Sequence, residues 1–338
     1  MNTLQPLCTP RRAACHRAGF SLPELLIVVA IIAVVIGLVI PTVGAIRTRS
    51  RTMQCLTNQR LITQANYAYA TSNASRWTSS RTDSSGTARI DGQNLVNATA
   101  HCWVKSEGAN LSGSGATQFE TLGAIEGGSL FPYVDSIKSY LSPNEARNQF
   151  EQLTPGPGVR IRSYSFNACL GVTRPEDNTD YDALFMNPLA GQSNGGSTVV
   201  PIERYNTTTI ATVKQPTRML STIVEDDTIN WNDRSRNLGG WVIQPQPNSQ
   251  RWIDLPAPWN PSAITLSYVD GSVETREMQD PNLLRVMDGP PFPQGYLVQG
   301  PGPHWVRTPD ANFDPDWRWF RARLNPGVLP NLEGQEFN

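Results

Sequence analysis

An uninterrupted apolar stretch, Leu25 to Ile40, opens directly out of Arg17-Ala-Gly-Phe-Ser-Leu-Pro-Glu24. Counted from Phe20 to Ile40, the block is about 21 residues, or roughly 31 Å as a helix, which just spans a bilayer core. One carboxylate sits inside it. An acidic residue in such a segment costs on the order of 3 kcal/mol on insertion scales, so Glu24 requires an explanation. A plain signal anchor would hold it at the interface, where a helix N-terminus favours negative charge. An ordinary secretory signal peptide would end in small residues of Ala-x-Ala type after the apolar region. Val39-Ile40-Pro41 stands there instead.

Gly19, Phe20, Ser21, Leu22 and Glu24, preceded by a basic leader and followed by some 16 apolar residues, resemble the start of type IV pilins and pseudopilins. Pro41 falls where that family often kinks its helix. The resemblance implies cleavage after Gly19 on the cytoplasmic side by a prepilin peptidase, which also methylates the new α-amine of Phe20. It further implies polymerisation through the apolar helix. The physical logic holds independently: the freed amine of Phe20 in one subunit compensates Glu24 of its neighbour, and either charge buried alone would be costly.

Removing residues 1–19 from 338 leaves 319, enough for one large or two small globular units. Loss of the leader's Arg11, Arg12 and Arg17 takes the formal net charge from -1 to -4. That balance argues against a nucleic-acid binder, which needs clustered Lys and Arg. The one basic cluster, Arg47, Arg49 and Arg51, lies just past the apolar segment, where it touches lipid headgroups or simply marks the membrane boundary. With three positive charges on each flank, the positive-inside rule does not settle orientation; the leader-peptidase logic places the N-terminus in the cytoplasm.

Of the five cysteines, Cys8 and Cys15 leave with the leader. In an oxidising compartment Cys102–Cys169 is the expected disulfide, with Cys55 left over on the helix; the alternative is three reduced, small hydrophobes. No Cys or His spacing resembles a zinc site.

No proline interrupts Thr42 to Tyr69, and Val43, Ile46, Met53 and Leu56 recur at helical spacing while Arg47, Arg49, Arg51 and Arg60 take other faces. One long helix over 20–72 is therefore expected, bent or locally melted at Pro41, with its second half packed on a sheet. Thr71-Ser-Asn-Ala-Ser should end it. Polar Gly/Ser-rich loops follow, around short strands such as Ala100–Val104, then a short helix after Ser129-Leu-Phe-Pro-Tyr-Val134. Arg162–Leu170 and Arg218–Glu225 read as strands, and 174–196 as an insertion. Ala263–Arg276 alternates around Asp270-Gly271, predicting a hairpin with a two-residue turn. The tail from Asp280, dense in Pro, Gly and Trp, reads as irregular coil. The expected parts are leader 1–19, apolar half-helix 20–41, amphipathic half-helix 42–72, β-rich globular region 73–280 and C-terminal extension 281–338.

These later segments, in order, extend the likeness. Arg51–Asn58, Glu126–Tyr133, Arg162–Asn167 and Tyr268–Glu274 resemble the large pseudopilin-like proteins of planctomycetes, described by an H-x9-D-G motif. Two departures stand out: Asn260 occupies the His position, and Ser142-Pro143 replaces the usual Cys-Pro. They favour a structural role for the hairpin.

Three site readings remain. Glu225, Asp226, Asp227 and Asp270 form a carboxylate grouping, and major pseudopilins as a class bind Ca2+ near the C-terminus. Asp226, Asp227 and Asp270 are the candidate Ca2+ ligands, although Asp at strand ends ordinarily serves turns. Trp231, Trp241, Trp252, Trp259, Trp305, Trp317 and Trp319 either stack on sugars or fill a core. Catalysis is poorly supported: no His-Asp-Ser set stands out by spacing, and the neighbours His101 and Cys102 would point to opposite faces of a strand.

The expected fold is α+β and pilin-like: a long kinked N-terminal helix on a mostly antiparallel sheet with large loop insertions. The expected role is a non-enzymatic filament subunit without cofactor, anchored in the inner membrane with the globular part periplasmic or on a surface filament. Its partners would be the prepilin peptidase/methyltransferase, other pilin-like subunits and an assembly platform. The rival is a pilin-anchored binding module that captures glycans or secretion substrates without polymerising. A membrane-tethered hydrolase ranks third.

Overall fold

The computed structural model describes residues 21–80, 88–90, 93–95, 102–104, 122–144, 162–171, 207–226, 240, 241, 243, 251, 252, 254–257, 263–287, 297–299, 305–307 and 314–329. The leader, the 174–196 insertion and Asn260 lie outside them. Residues 1–49 and 50–338 form two compact units.

Helix α1 (Leu22–Ser72) is a single helix of 51 residues. Its first part is a β-branched and leucine-rich cylinder, exposed on every side between Leu22 and Ile40 wherever side chains are described. Helical assignment runs without interruption through Pro41, so the expected local melting does not occur. One missing ladder bond inside so long a helix costs less than a second nucleation would. At the far end Thr71 and Ser72 hydroxyls and the Asn73 amide turn back onto the carbonyls of Tyr67, Ala68 and Tyr69, as the polar run predicts.

Within the second unit, α1 from Ser50 onward lies on an antiparallel sheet of five strands. These are β3 (Tyr164–Phe166), β4 (Leu220–Asp226), β6 (Leu255–Pro256), β7 (Ala263–Tyr268) and β8 (Val273–Glu277), ordered β3-β4-β7-β8 with β6 pairing the end of β4. Separate small sheets hold β1 (Ala88–Ile90) with β2 (Gln93–Leu95), and β5 (Arg251–Trp252) with β10 (Trp305–Arg307) and β9 (Leu297–Gln299). Helices α2 (Leu122–Glu126) and α3 (Phe131–Val134) and a 3-10 turn at Ile137–Tyr140 pack against one another. The expected strand at Ala100–Val104 reduces, among described residues, to a bridge between Cys102 and Ser79.

The face by which α1 docks is not the stripe expected from Val43, Ile46, Met53 and Leu56. Ile46 and Met53 are 62% and 65% exposed. The buried stripe is Cys55, Asn58, Gln59, Ile62, Thr63, Asn66, Tyr69 and Ala70. Hydrogen bonds tie its polar members to the sheet and its flanking segments, although Gln59 Oε1 and Asn66 Nδ2 are left without a partner among the described residues. Gln59 Nε2 donates to the Thr265 carbonyl at 3.0 Å, and Thr63 Oγ1 meets Ser221 Oγ at 3.0 Å and Ser267 Oγ at 2.9 Å. Asn58 Nδ2 donates to the Leu141 carbonyl.

The described segments of the tail include two helices and two short strands, where the expectation was irregular coil. Helix α4 (Pro281–Met287) and helix α5 (Pro315–Leu324) belong to it. Asp314 caps α5 by accepting from Trp317 N at 2.8 Å, and its other oxygen accepts from Trp252 Nε1 at 2.9 Å. Pro315 takes the first helical position, where a missing N–H is harmless. Trp317, Phe320 and Leu324 are each fully buried. Asp316, also fully buried, accepts from Gln279 N, Asp280 N and Arg276 Nη2 at 2.7, 2.8 and 3.0 Å. Leu283, Val286, Trp317, Phe320, Leu324 and Leu329 from these segments are thus part of the core.

Candidate functional site

The candidate site is the start of α1. Gly19 and Phe20, the expected cleavage and methylation positions, lie outside the described residues. Ser21 immediately precedes the helix, Pro23 stands in its first turn, and Glu24 is one turn in. The Ser21 main-chain N–H donates to Glu24 Oε2 at 2.9 Å and its hydroxyl donates to the same oxygen at 2.8 Å. The Ser21 carbonyl accepts the first ladder bond, from Leu25 N at 3.2 Å. This is the return half of a capping box, in which an acidic residue at the third helical position satisfies the N-cap amide. Sequence reasoning weighed Glu24 only as a charge. The Ser-x-x-Glu spacing at 21–24 was the available signal for its second role.

Two consequences follow. The carboxylate sits where the helix dipole and two donors offset its charge, which lowers the cost of an acid at the head of an apolar helix. Both bonds also go to Oε2, and among the described residues no other donor reaches this carboxylate.

The other candidate positions are dispersed. Asp227 lies outside the described residues. Asp226 ends β4 opposite Leu255, whereas Asp270 N donates to the Pro216 carbonyl beyond the other end of β4. Six residues of strand, about 20 Å, separate those ends, so Asp226 and Asp270 do not meet. Glu225 is buried, accepting from the Ser165 hydroxyl. Arg162, stacked 5.2 Å over Trp103, donates to that same hydroxyl and to the Tyr164 carbonyl. Among the described residues no three of His, Cys, Asp and Glu are grouped to hold a metal.

The hairpin at Asp270-Gly271 forms, but its turn differs from the two-residue type expected. Tyr268 N donates to Ser272 O and Gly271 N to Tyr268 O, enclosing a three-residue loop. Gly271 alone takes positive φ there, 87°, as a type I turn with a G1 bulge requires. Asp270 accepts from the Ser272 amide and hydroxyl at 3.0 and 2.6 Å, so its carboxylate serves the turn.

Cys102 and Cys169 are not joined in a disulfide; both are buried. Cys169 is held by its own contacts, its N–H to Asn167 Oδ1 and its carbonyl to Thr207 N. Burial pushes its thiol up to about 12, which keeps it protonated and unreactive. Cys55 is no surplus residue: its sulfur meets the hydroxyls of Ser142, Thr265 and Tyr164 at 3.1, 3.2 and 3.2 Å, between helix and sheet.

Trp241, Trp252 and Trp317 are fully buried, like Trp77 and Trp103. Trp319 is half-buried and covered by guanidinium groups, Arg276 at 4.0 Å and Arg323 at 3.8 Å from its ring. The buried rings are out of reach of a sugar, and the Trp319 ring is engaged by two guanidinium groups. Trp231 and Trp259 lie outside the described residues.

The comparisons bear on the N-terminus alone. No curated protein and no solved structure matches the chain. Residues 15–40 match the family model of the prokaryotic N-terminal methylation motif, which supports a type IV pilin-like precursor with an apolar anchoring helix.

Proposed function

We propose that this chain is a structural pilin- or pseudopilin-like subunit. The precursor is anchored in the inner membrane with its N-terminus cytoplasmic and its globular part outside. A prepilin peptidase/methyltransferase cuts after Gly19 and methylates Phe20. An assembly platform then packs the subunit, with copies of itself and other pilin-like subunits, into a type IV pilus-like or type II secretion-like filament. The role calls for neither enzymatic activity nor a cofactor. Within the wider class, the ordered segments from Arg51 to Glu274 ally the chain with the large H-x9-D-G group despite Asn260.

One observation carries the reading: the methylation motif over residues 15–40 runs straight into a helix whose lone carboxylate, Glu24, is held at its first turn by Ser21. Assembly then needs only one new bond per subunit, from the Phe20 amine of a neighbour to that carboxylate. The burial of Trp241, Trp252 and Trp317 weighs against the glycan-binding alternative.

Intact-mass measurement and N-terminal sequencing of protein from native membranes test the first step. The expected product starts at N-methylated Phe20; a chain starting at Met1 would leave the anchor unprocessed and favour the non-polymerising module. Glu24→Ala should abolish filament assembly while leaving cleavage and display intact.

A further inference from the structure

Past the apolar span, α1 enters an exposed stretch from Gly44 to Arg51 that carries Arg47, Arg49 and Arg51. All three arginines are exposed, and from Leu22 to Ser72 the helix holds no acidic residue except Glu24, far away at its start. Arg47 is seven residues beyond Ile40, the last residue of the apolar run, which is about 10 Å of helix rise. The headgroup layer of one leaflet is roughly 5–7 Å deep. An arginine side chain reaches back several ångströms along its own stem, so the Arg47 guanidinium meets the phosphate layer. Arg49, about 3 Å further out, remains within one screening length of roughly 8 Å.

The geometry points to an anionic-lipid site here: Arg47 and Arg49 bind the headgroups of anionic phospholipids in the leaflet where the apolar helix emerges. Charge complementarity and continuity with the membrane-embedded surface select this occupant over a free anion or a second chain. Guanidinium groups suit it because each presents a planar pair of donors to a phosphate. The site prefers phosphatidylglycerol-like lipids over zwitterionic ones, by about fivefold for each arginine in the layer. It rests on membrane anchoring and not on processing or polymerisation.

The test is native mass spectrometry of the full-length precursor released from mixed micelles of equal phosphatidylcholine and phosphatidylglycerol. Wild type should retain phosphatidylglycerol preferentially, and the preference should fall as salt rises. R47Q/R49Q should lose it by at least tenfold, with unchanged circular dichroism, and R47K/R49K should keep most of it. Equal retention of the two lipids by wild type and the glutamine variant would overturn the proposal while leaving the anchor standing. Retention of neither lipid would overturn both. Displacement of phosphatidylglycerol by inorganic phosphate at constant ionic strength would reassign the arginines to a free anion. Arginine-dependent dimers without lipid would reassign them to a second copy of the chain.

Discussion

Ala74 and Ser75 follow the end of α1 with φ of 54° and 60°. Side chains with a Cβ adopt that left-handed region at a cost of roughly 1 kcal/mol each. The chain holds both there because the turn is over-determined: Ile210 N donates to Ser75 O, Trp77 N to Thr208 O, and Arg76 bridges Thr209. Relief at one position should therefore appear directly as stability. Ala74→Gly is expected to raise the unfolding midpoint of the full chain in detergent, a stabilisation of roughly 0.5–1 kcal/mol. A lower midpoint would mean that the turn is not strained. At this scale the sequence was legible wherever one residue type has one conformational use. Gly271 was expected at a turn and takes the positive φ there, and Thr71-Ser-Asn was expected to end the helix. The loop length between β7 and β8 was not legible, because Asp-Gly suits both the two-residue turn and the bulged three-residue one. What decides is outside the hairpin, in the bonds from Val269 N to Met219 O and from Asp270 N to Pro216 O.

The docking of α1 on the sheet belongs to the scale of elements. Apolar periodicity selected Val43, Ile46, Met53 and Leu56, yet Cys55, Asn58, Gln59, Thr63 and Asn66 face inward. A hydrophobic pattern cannot find such a face, because half of its members are polar and acquire partners only after folding. Thr63 shows what the seam contributes. Its hydroxyl meets Ser221 and Ser267, while Ser267 Oγ also accepts from Thr222 N at 3.0 Å. Thr63→Val keeps the shape and adds apolar surface, yet it strips partners from buried hydroxyls, and stranded polar groups cost about 1–3 kcal/mol. Urea unfolding should show Thr63→Val destabilised by about 1–2 kcal/mol. Adding Ser267→Ala should cost less than the two separate losses summed, since the shared bond is then counted once. A Thr63→Val chain at least as stable as wild type would show that the hydroxyls add nothing to docking. The same seam explains why Cys55 is a helix–sheet contact and not a stray thiol.

At the scale of the molecule, the question is what the residues after Asp280 do. Their composition reads as coil, and the helical signal inside is short: Asp314 at the cap, Pro315 at the first position, then Trp317, Phe320 and Leu324 at spacings of three and four among Arg318, Arg321 and Arg323. Those apolar residues are fully buried, Phe320 against Trp241 at 5.1 Å and Trp252 at 5.6 Å between ring centroids. Burying side chains of this size contributes about 1.5–3 kcal/mol each, so the three together are worth on the order of 5–8 kcal/mol. That is comparable to the whole stability of an ordinary domain, about 5–15 kcal/mol. Polar ties act in the same direction: Asn167 Nδ2 donates to the Leu324 carbonyl and Asn325 Nδ2 to Thr207 Oγ1, tying α5 to segments far away in sequence. A chain ending at residue 313 should therefore lose its cooperative thermal transition and become sensitive to protease throughout the 50–313 region. Trp317→Ala should lower the midpoint steeply without abolishing the transition, since a large-to-small core change costs about 3–5 kcal/mol. If the truncated chain instead melts cooperatively within a few degrees of wild type, the tail is peripheral. The core must then close on the five-stranded sheet and α1 alone.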